Sequence, residues 1–261
     1  MKKLSIITPT YNSSVFLWQC LESIKLQNLK KDDFEHIFVD WNSTDKTLDI
    51  INGYKQETWY DIHIIEKEPK WVYNAVNQWA LKATWEYLFF LNSDDWLEPK
   101  VLNWYLSFIN KSGEKDLYYW DIIFYDGVNN NKTDKSRLMN KILFKLAWFN
   151  VLINYPWVIV KKDTFMELWM FDESKKIASD YWMWLNMLKH RKKYVYYPKI
   201  ITNFRVHDWG LSSNKKNQLI SDEECRYFQR KYLPRYKRLI HKSVLFVWKL
   251  KMYLVTFFKI K

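Results

Sequence analysis

Glycine is scarce in this chain, with four residues in 261, where ordinary usage would give about 18. So few glycines leave few positions that enter left-handed backbone at no steric cost. Cysteine is nearly absent as well. Cys20 and Cys225 are far apart and have no CxxC company, which excludes a disulfide framework and a structural zinc cluster and fits reduced thiols in a cytosolic setting. No uninterrupted apolar run reaches the roughly 20 residues that cross a bilayer. The first apolar segment starts at Leu4, which leaves no room for a signal peptide. Internal repeats and low-complexity linkers are missing too.

The chain is instead rich in apolar and basic residues. Hydrophobic residues make up 48%, enough for a full core. Lys and Arg number 41 against 29 acids, for a formal charge of +12. That balance suggests an anionic partner (nucleic acid, a phosphorylated substrate or an acidic membrane surface) or a merely basic, soluble surface. Tryptophan is in excess, at 16 residues, by an amount similar to the glycine deficit.

Apolar runs and helical spacings alternate through the first hundred residues. Strands are expected at Leu4–Thr8, Glu35–Val39, Asp61–Ile65 and Tyr87–Leu91. Helices are expected over Val15–Gln27, from Thr44 or Asp45 onward, and over Val72–Ala83. This order predicts a mostly parallel sheet flanked by helices. Further on, the pattern predicts a strand at Tyr118–Tyr125, a polar turn or hairpin at "DGVNNNKTDK", and helical or irregular chain over Arg137–Asn150. A short strand at Val158–Val160 precedes a helix near Asp163–Leu168. Asp180–His190 reads as a helix, Tyr194–Tyr197 and Ile200–Val206 as strands, and the chain from Lys215 as a basic helical extension.

In an open parallel sheet, ligands bind beyond the carboxyl ends of the strands. Thr8-Pro9-Thr10-Tyr11-Asn12, Asp40 and Asn92-Ser93-Asp94-Asp95 should therefore converge. Acids there in a basic chain suggest a divalent cation bridging to phosphate. Each aspartate taken singly is also an ordinary turn former.

The stretches "SIITPTYN", "VDWNSTDKTLDII", "ATWEYLFFLNSDDWLEP" and "ASDYWMWL" resemble, in order, the motifs of the family 2 glycosyltransferases. The resemblance spans roughly residues 2–213 and implies a Rossmann-like GT-A fold, with a nucleotide-sugar half (1–98), an acceptor half (99–213) and an extension (214–261). It implies inverting transfer from a nucleotide-sugar donor to a saccharide or lipid-linked acceptor, with Mg²⁺ or Mn²⁺, in cell-envelope glycan synthesis. Thr8, Pro9 and Tyr11 match the first nucleotide loop, and Asp40 the carboxylate that reads the base edge. Asp94 matches the ribose contact and Asp95 the metal ligand, although Asn92 replaces the first acid of a strict Asp-x-Asp spelling. Asn74 and Asn77 fall in the segment similar to the donor-contacting helix, where polar residues are often merely solvated. Asp180 matches the general base; it also suits a helix N-cap. His207 matches a metal or pyrophosphate contact or is an ordinary loop histidine. Trp96 and Trp184 suit either stacking on a ligand or packing.

Trp41, Trp71, Trp79, Trp85, Trp120, Trp169 and Trp209 fall where the family pattern has glycine. Trp85 and Trp169 directly follow expected helices, at the position where glycine usually takes positive φ. Trp79 is expected to overpack its helix. Exchanging about twelve tryptophans for glycine restores ordinary composition. UGA codons, read as glycine in some bacterial lineages, account for this pattern; the alternative is genuine tryptophan enrichment.

The tail "LPRYKRLIHKSVLFVWKLKMYLVTFFKIK" interleaves cations with apolar residues. It suits peripheral attachment to the anionic inner face of the cell membrane, or a helix packed on the catalytic domain. Two rival functions are a basic, aromatic-rich nucleic-acid binder and an inactive glycosyltransferase-like protein. Acids at the strand ends argue against the first, and retention of Asp40, Asp94, Asp95 and Asp180 against the second.

Overall fold

A computed structural model describes residues 4–66, 72–127, 131–137, 158–208, 210 and 214–232. Its strands are β1 (Leu4–Thr10), β2 (Phe34–Asp40), β3 (Asp61–Glu66), β4 (Tyr87–Phe90), β5 (Trp96–Leu97), β6 (Leu117–Asp126), β7 (Lys132–Arg137), β8 (Val158–Lys161) and β9 (Tyr194–Val206). The helices are α1 (Ser14–Lys25), α2 (Thr47–Glu57), α3 (Val72–Lys82), α4 (Val101–Ser112), α5 (Lys162–Glu167), α6 (Ser179–Lys189) and α7 (Lys215–Tyr232). All strands join one sheet of order β3-β2-β1-β4-β8-β6-β9-β5, with β7 beside β6.

The first four strands are parallel. β1 pairs β2 from Leu4↔Phe34 to Thr10↔Asp40, and β4 from Leu4↔Tyr87 to Ile7↔Phe90. Every residue of β2 and β4 is buried, as expected of parallel strands covered on both faces. Their carboxyl ends lie level, so the loops after β1, β2 and β4 meet.

The second half is mixed rather than parallel. β8 runs antiparallel to both β4 and β6, β5 is antiparallel to β9, and β6–β9 is parallel. After the polar segment that follows Asp126, β7 pairs antiparallel with β6. The two strands expected around Pro198 are one, β9. Its register slips against β6 between Tyr197 and Ile200, because Pro198 has no N–H for the ladder.

Helix α2 begins at Thr47, two or three residues later than expected, because Asp45 caps it from outside. Arg137 ends β7 rather than opening a helix. The rest of the expected segment to Asn150, together with Trp71, Trp209 and the tail beyond Tyr232, lies outside the described residues. α7 packs on α6 through Ala178, Tyr181, Leu185, Cys225 and Phe228. Among the described residues no helix is long and apolar enough to cross a membrane.

The tryptophans divide by backbone. Trp169 has φ +70° and is 81% exposed. It sits after α5 in a Schellman turn, with Trp169 N–H on the Met166 carbonyl (3.0 Å) and Met170 N–H on the Phe165 carbonyl (2.9 Å). Trp85 does not take positive φ. The chain leaves α3 without a left-handed reversal, and the Trp85 N–H turns to Ser5 Oγ at 3.3 Å. Nor is Trp41 the strained residue of its bend. Its N–H extends the β1–β2 ladder to the Thr10 carbonyl, and Asn42 takes φ +50° instead, a conformation asparagine tolerates. Trp79 and Trp120 are fully buried in the core. The Trp120 indole donates to Thr202 Oγ1 at 3.0 Å.

Candidate nucleotide and metal site

Asp40 closes β2 opposite Thr10 and is fully buried. Its Oδ1 accepts the Thr10 hydroxyl (2.8 Å) and the Ser43 hydroxyl (2.6 Å), and its Oδ2 accepts the Ser43 N–H (2.7 Å). The left-handed Asn42 folds the chain back so that Ser43 reaches this carboxylate. The loop after β1 is tied to the same turn, with Asn12 N–H on Ser43 Oγ and Thr44 N–H on Asn12 Oδ1, both 2.9 Å. Asp45 joins two helix starts by accepting Ser14 N–H (3.1 Å), Thr47 N–H (3.0 Å) and the Thr47 hydroxyl (2.5 Å). Burial alone would raise the Asp45 carboxyl, but these hydrogen bonds bring it down to about 2. The Asp45 carboxylate thus caps the electropositive amino ends of α1 and α2 together, and fixes both helix starts where the strand ends meet.

Beyond β4, Asp95 is buried and Asp94 partly exposed. Asp95 Oδ1 accepts the Arg205 N–H (3.0 Å) and Oδ2 the Asn92 amide (3.1 Å). Burial, then the neighbouring Asp94 charge, pushes the Asp95 carboxyl well above the ordinary carboxylate range. His207 Nε2 meets Asp94 Oδ2 at 2.9 Å, with its ring 5.0 Å from Phe16. Asp94, Asp95 and His207 therefore gather on one side of the junction. Ser93 and Ser13 hydroxyls, 2.9 Å apart, link it to the β1 loop.

Other expected residues lie differently. Thr8 is buried within the sheet, its hydroxyl paired with His36 Nε2 at 2.9 Å. Thr10, two residues on and on the same face, is the threonine at the strand end. Pro9 is half-buried and Tyr11 is 57% exposed in the following loop. Asn77 is buried in α3 and directs its amide to the chain after α5. Its Nδ2 donates to the Phe171 carbonyl (2.8 Å) and Glu173 Oε1 (3.0 Å), while its Oδ1 accepts the Phe171 N–H (2.9 Å). Asp180 is the second residue of α6, two places past the cap residue Ala178, and is buried; its Oδ1 accepts the Tyr181 N–H at 2.7 Å. Trp184 is buried in the core.

Arg205 was not singled out in the sequence. Besides holding Asp95, it donates from Nε to the Asp94 carbonyl (3.0 Å), and its guanidinium lies 4.3 Å from the Phe16 ring and 4.7 Å from the Trp96 ring. Trp96 thus serves as a platform for this cation. The two-residue spacing of Arg205 and His207 was the available signal, since it puts both on one face of an extended chain. Gly127 also belongs here. A Cβ at Gly127 would lie 2.5 Å from His207 Cβ and 2.8 Å from the Val206 carbonyl.

A separate cluster, Glu35, Asp61 and His63, brings three ligand atoms within 4.8 Å of one another. It lies at the amino ends of β2 and β3, the opposite end of the sheet from Asp94 and Asp95.

A parallel four-strand half with acids at its strand ends, joined to a mixed second half, defines the GT-A class of α/β fold. The chain belongs to glycosyl transferase family 2, whose family model matches residues 5–167. It is 34% identical over 141 residues to a poly(ribitol-phosphate) beta-glucosyltransferase of Bacillus spizizenii, covering 51% of this chain and 21% of that protein. It is 39% identical over 120 residues to a PGL/p-HBAD biosynthesis glycosyltransferase of Mycobacterium bovis, covering 46% of each. The chain thus spans less than half the length of these curated relatives. Its fold is similar to S. aureus TarS 1–349 in complex with UDP-GlcNAc, with TM-score 0.65, 22% identity, and 90% and 72% of the two chains covered. It also resembles mannosyltransferase PcManGT from Pyrobaculum calidifontis in complex with GDP-Man and Mn²⁺, with TM-score 0.62, 16% identity, and 80% and 58% covered.

Proposed function

We propose that this protein transfers a glycosyl group, with inversion, from a nucleotide-sugar donor to a saccharide or lipid-linked acceptor in cell-envelope glycan synthesis. The observation that carries the reading is the single junction where Thr10–Asp40, the α1 and α2 amino ends, and Asp94–His207 with Asp95 meet. Asp40, Thr10 and Ser43 form the wall against which a nucleoside would lie. The Arg205 guanidinium, held at the Asp94 carbonyl, is the cation at this junction that favours the diphosphate.

The residues fit a divalent cation such as Mg²⁺ or Mn²⁺. Asp94 stands beside the buried Asp95 and lies 2.9 Å from His207 Nε2, and Asp95 with His207 would hold the ion. When bound, it would neutralise the charge that develops on the departing diphosphate. Asp180 acts at the acceptor. The acceptor oxygen forms a bond to the anomeric carbon as the bond to the diphosphate oxygen breaks with its electron pair, and the hydroxyl proton passes to the Asp180 carboxylate.

Calorimetric titration of UDP and GDP with and without Mn²⁺, followed by a screen of nucleotide sugars for nucleotide release, tests the reading. Asp95→Ala should keep the fold and lose metal-dependent binding. Full turnover with Mn²⁺ in that variant overturns the metal assignment.

A further inference from the structure

Asp180 is delivered by residues 171–178, a segment that starts with Phe171 packed on Phe90 at the end of β4. α3 holds it from one side. The Tyr73 hydroxyl donates to the Ile177 carbonyl, and Asn74 Nδ2 donates to Glu173 Oε2 at 2.6 Å beside the Asn77 contacts. On the other side stands α7. Glu224, half-buried near its middle, accepts three consecutive backbone N–H groups: Lys176 at 2.8 Å on Oε1, then Ile177 at 3.0 Å and Ala178 at 2.9 Å on Oε2. Successive N–H groups turned toward one point form a cradle for an anion, and charge-assisted bonds of this kind are strong.

The position matters for α6. Its cap residue, Ala178, has no side-chain oxygen, and no side-chain cap bond is made there. Glu224 supplies, from another helix, a negative charge just before the electropositive amino end of α6. α7 is itself fixed on α6. Phe228 stacks with Trp182, their rings 6.0 Å apart, and Gln229 Nε2 donates to the Tyr181 hydroxyl at 3.2 Å. Cys225, next to Glu224, is buried, and its thiol is pushed up to about 12, first by burial and then by the Asp180 charge. The Glu224 clamp and Asp180 thus belong to one small region.

We propose that Glu224 is a positioning residue for glycosyl transfer: by binding the 176–178 N–H groups it sets the amino end of α6 and so places the Asp180 carboxylate against the acceptor hydroxyl. This rests on the reading of Asp180 as the base. It makes α7 part of the catalytic unit, although the helix lies beyond the family match at residues 5–167.

The test compares Glu224→Gln, Asp180→Asn and the double variant in the full chain, with Glu223→Gln, an exposed neighbour, as control. Glutamine keeps the size of Glu224 but turns an NH₂ donor toward N–H donors. Amide exchange by mass spectrometry, without any donor, should rise about tenfold or more across 176–178 in Glu224→Gln. Turnover of the most active of UDP-GlcNAc, UDP-glucose and GDP-mannose with Mn²⁺ should fall about tenfold or more, with UDP or GDP affinity unchanged. In the Asp180→Asn background the same substitution should add nothing, since its effect runs through Asp180. Unchanged exchange, unchanged turnover, or a fully additive loss in the double variant overturns the proposal. If exchange rises while Asp180→Asn retains wild-type turnover, the clamp is real but the base assignment has failed, and the positioning role fails with it.

Discussion

At the scale of single residues, the tryptophans are the sharpest case. The sequence treats Trp41, Trp79, Trp85, Trp120 and Trp169 alike, as large side chains at family glycine positions. The structure separates them by backbone angle and burial. Only Trp169, at φ +70°, combines a left-handed conformation with a mostly exposed indole. Left-handed backbone costs a non-glycine residue roughly 1–2 kcal/mol, and this indole recovers little of that by burial. Trp169→Gly should therefore raise stability by about 1 kcal/mol in chemical denaturation. Trp120→Gly should do the reverse. It empties a fully buried site between Phe89 and Tyr105 and should lose about 3–5 kcal/mol. The recoding reading is thus most directly tested at codon 169. TGA in the gene supports it, and TGG there removes its best position.

At the scale of elements, β1, β2 and β4 were legible because parallel strands buried on both faces are written as largely apolar runs. The half-exposed edge strand β3 and helices α1 to α3 were legible because their apolar residues recur at strand or helix spacing. The strand ends, and hence Asp40, Asp94 and Asp95, followed from topology alone. The second half was less legible. The pairing of β8 between β4 and β6 is decided by contacts across seventy residues of chain, as in Leu88↔Val160, and no local pattern records it. Arg205 was missed for the same reason, since its partners Gln19 and Asp95 come from distant elements. Asn77 shows the limit in reverse. Its type and place suggested a donor contact, but its amide ties α3 to the chain entering α6. Asn77→Ala should accordingly lower stability by about 1–3 kcal/mol, because the Phe171 N–H and carbonyl lose their partners in a buried place. Nucleotide affinity measured by calorimetry should stay unchanged. A selective loss of affinity with no change in melting temperature would return Asn77 to the donor site.

At the scale of the whole molecule, formal charge +12 means that acid adds positive charge to a chain already repelling itself. One histidine couples this directly to the sheet. His36 lies fully buried in β2, its Nε2 on the Thr8 hydroxyl and its ring 4.0 Å from Phe38 and 5.9 Å from Tyr54. Burial pushes the imidazole down to about 3, against about 6.5 for an unfolded chain. Between those values the unfolded state binds the extra proton, so stability rises with pH. The His36 contribution is complete above about pH 6.5, begins to fall as pH drops below that value, and is gone once pH has fallen through about 3. At pH 5 the loss is about 2 kcal/mol relative to pH 7. His36→Gln retains a neutral hydrogen-bonding side chain and removes the titration. Other groups titrate in both proteins, so the difference between the two pH profiles is the quantity to read. Denaturation at pH 7 and pH 5 should show wild type losing about 2 kcal/mol more than His36→Gln. Parallel profiles would mean that His36 is protonated as readily inside the sheet as outside it.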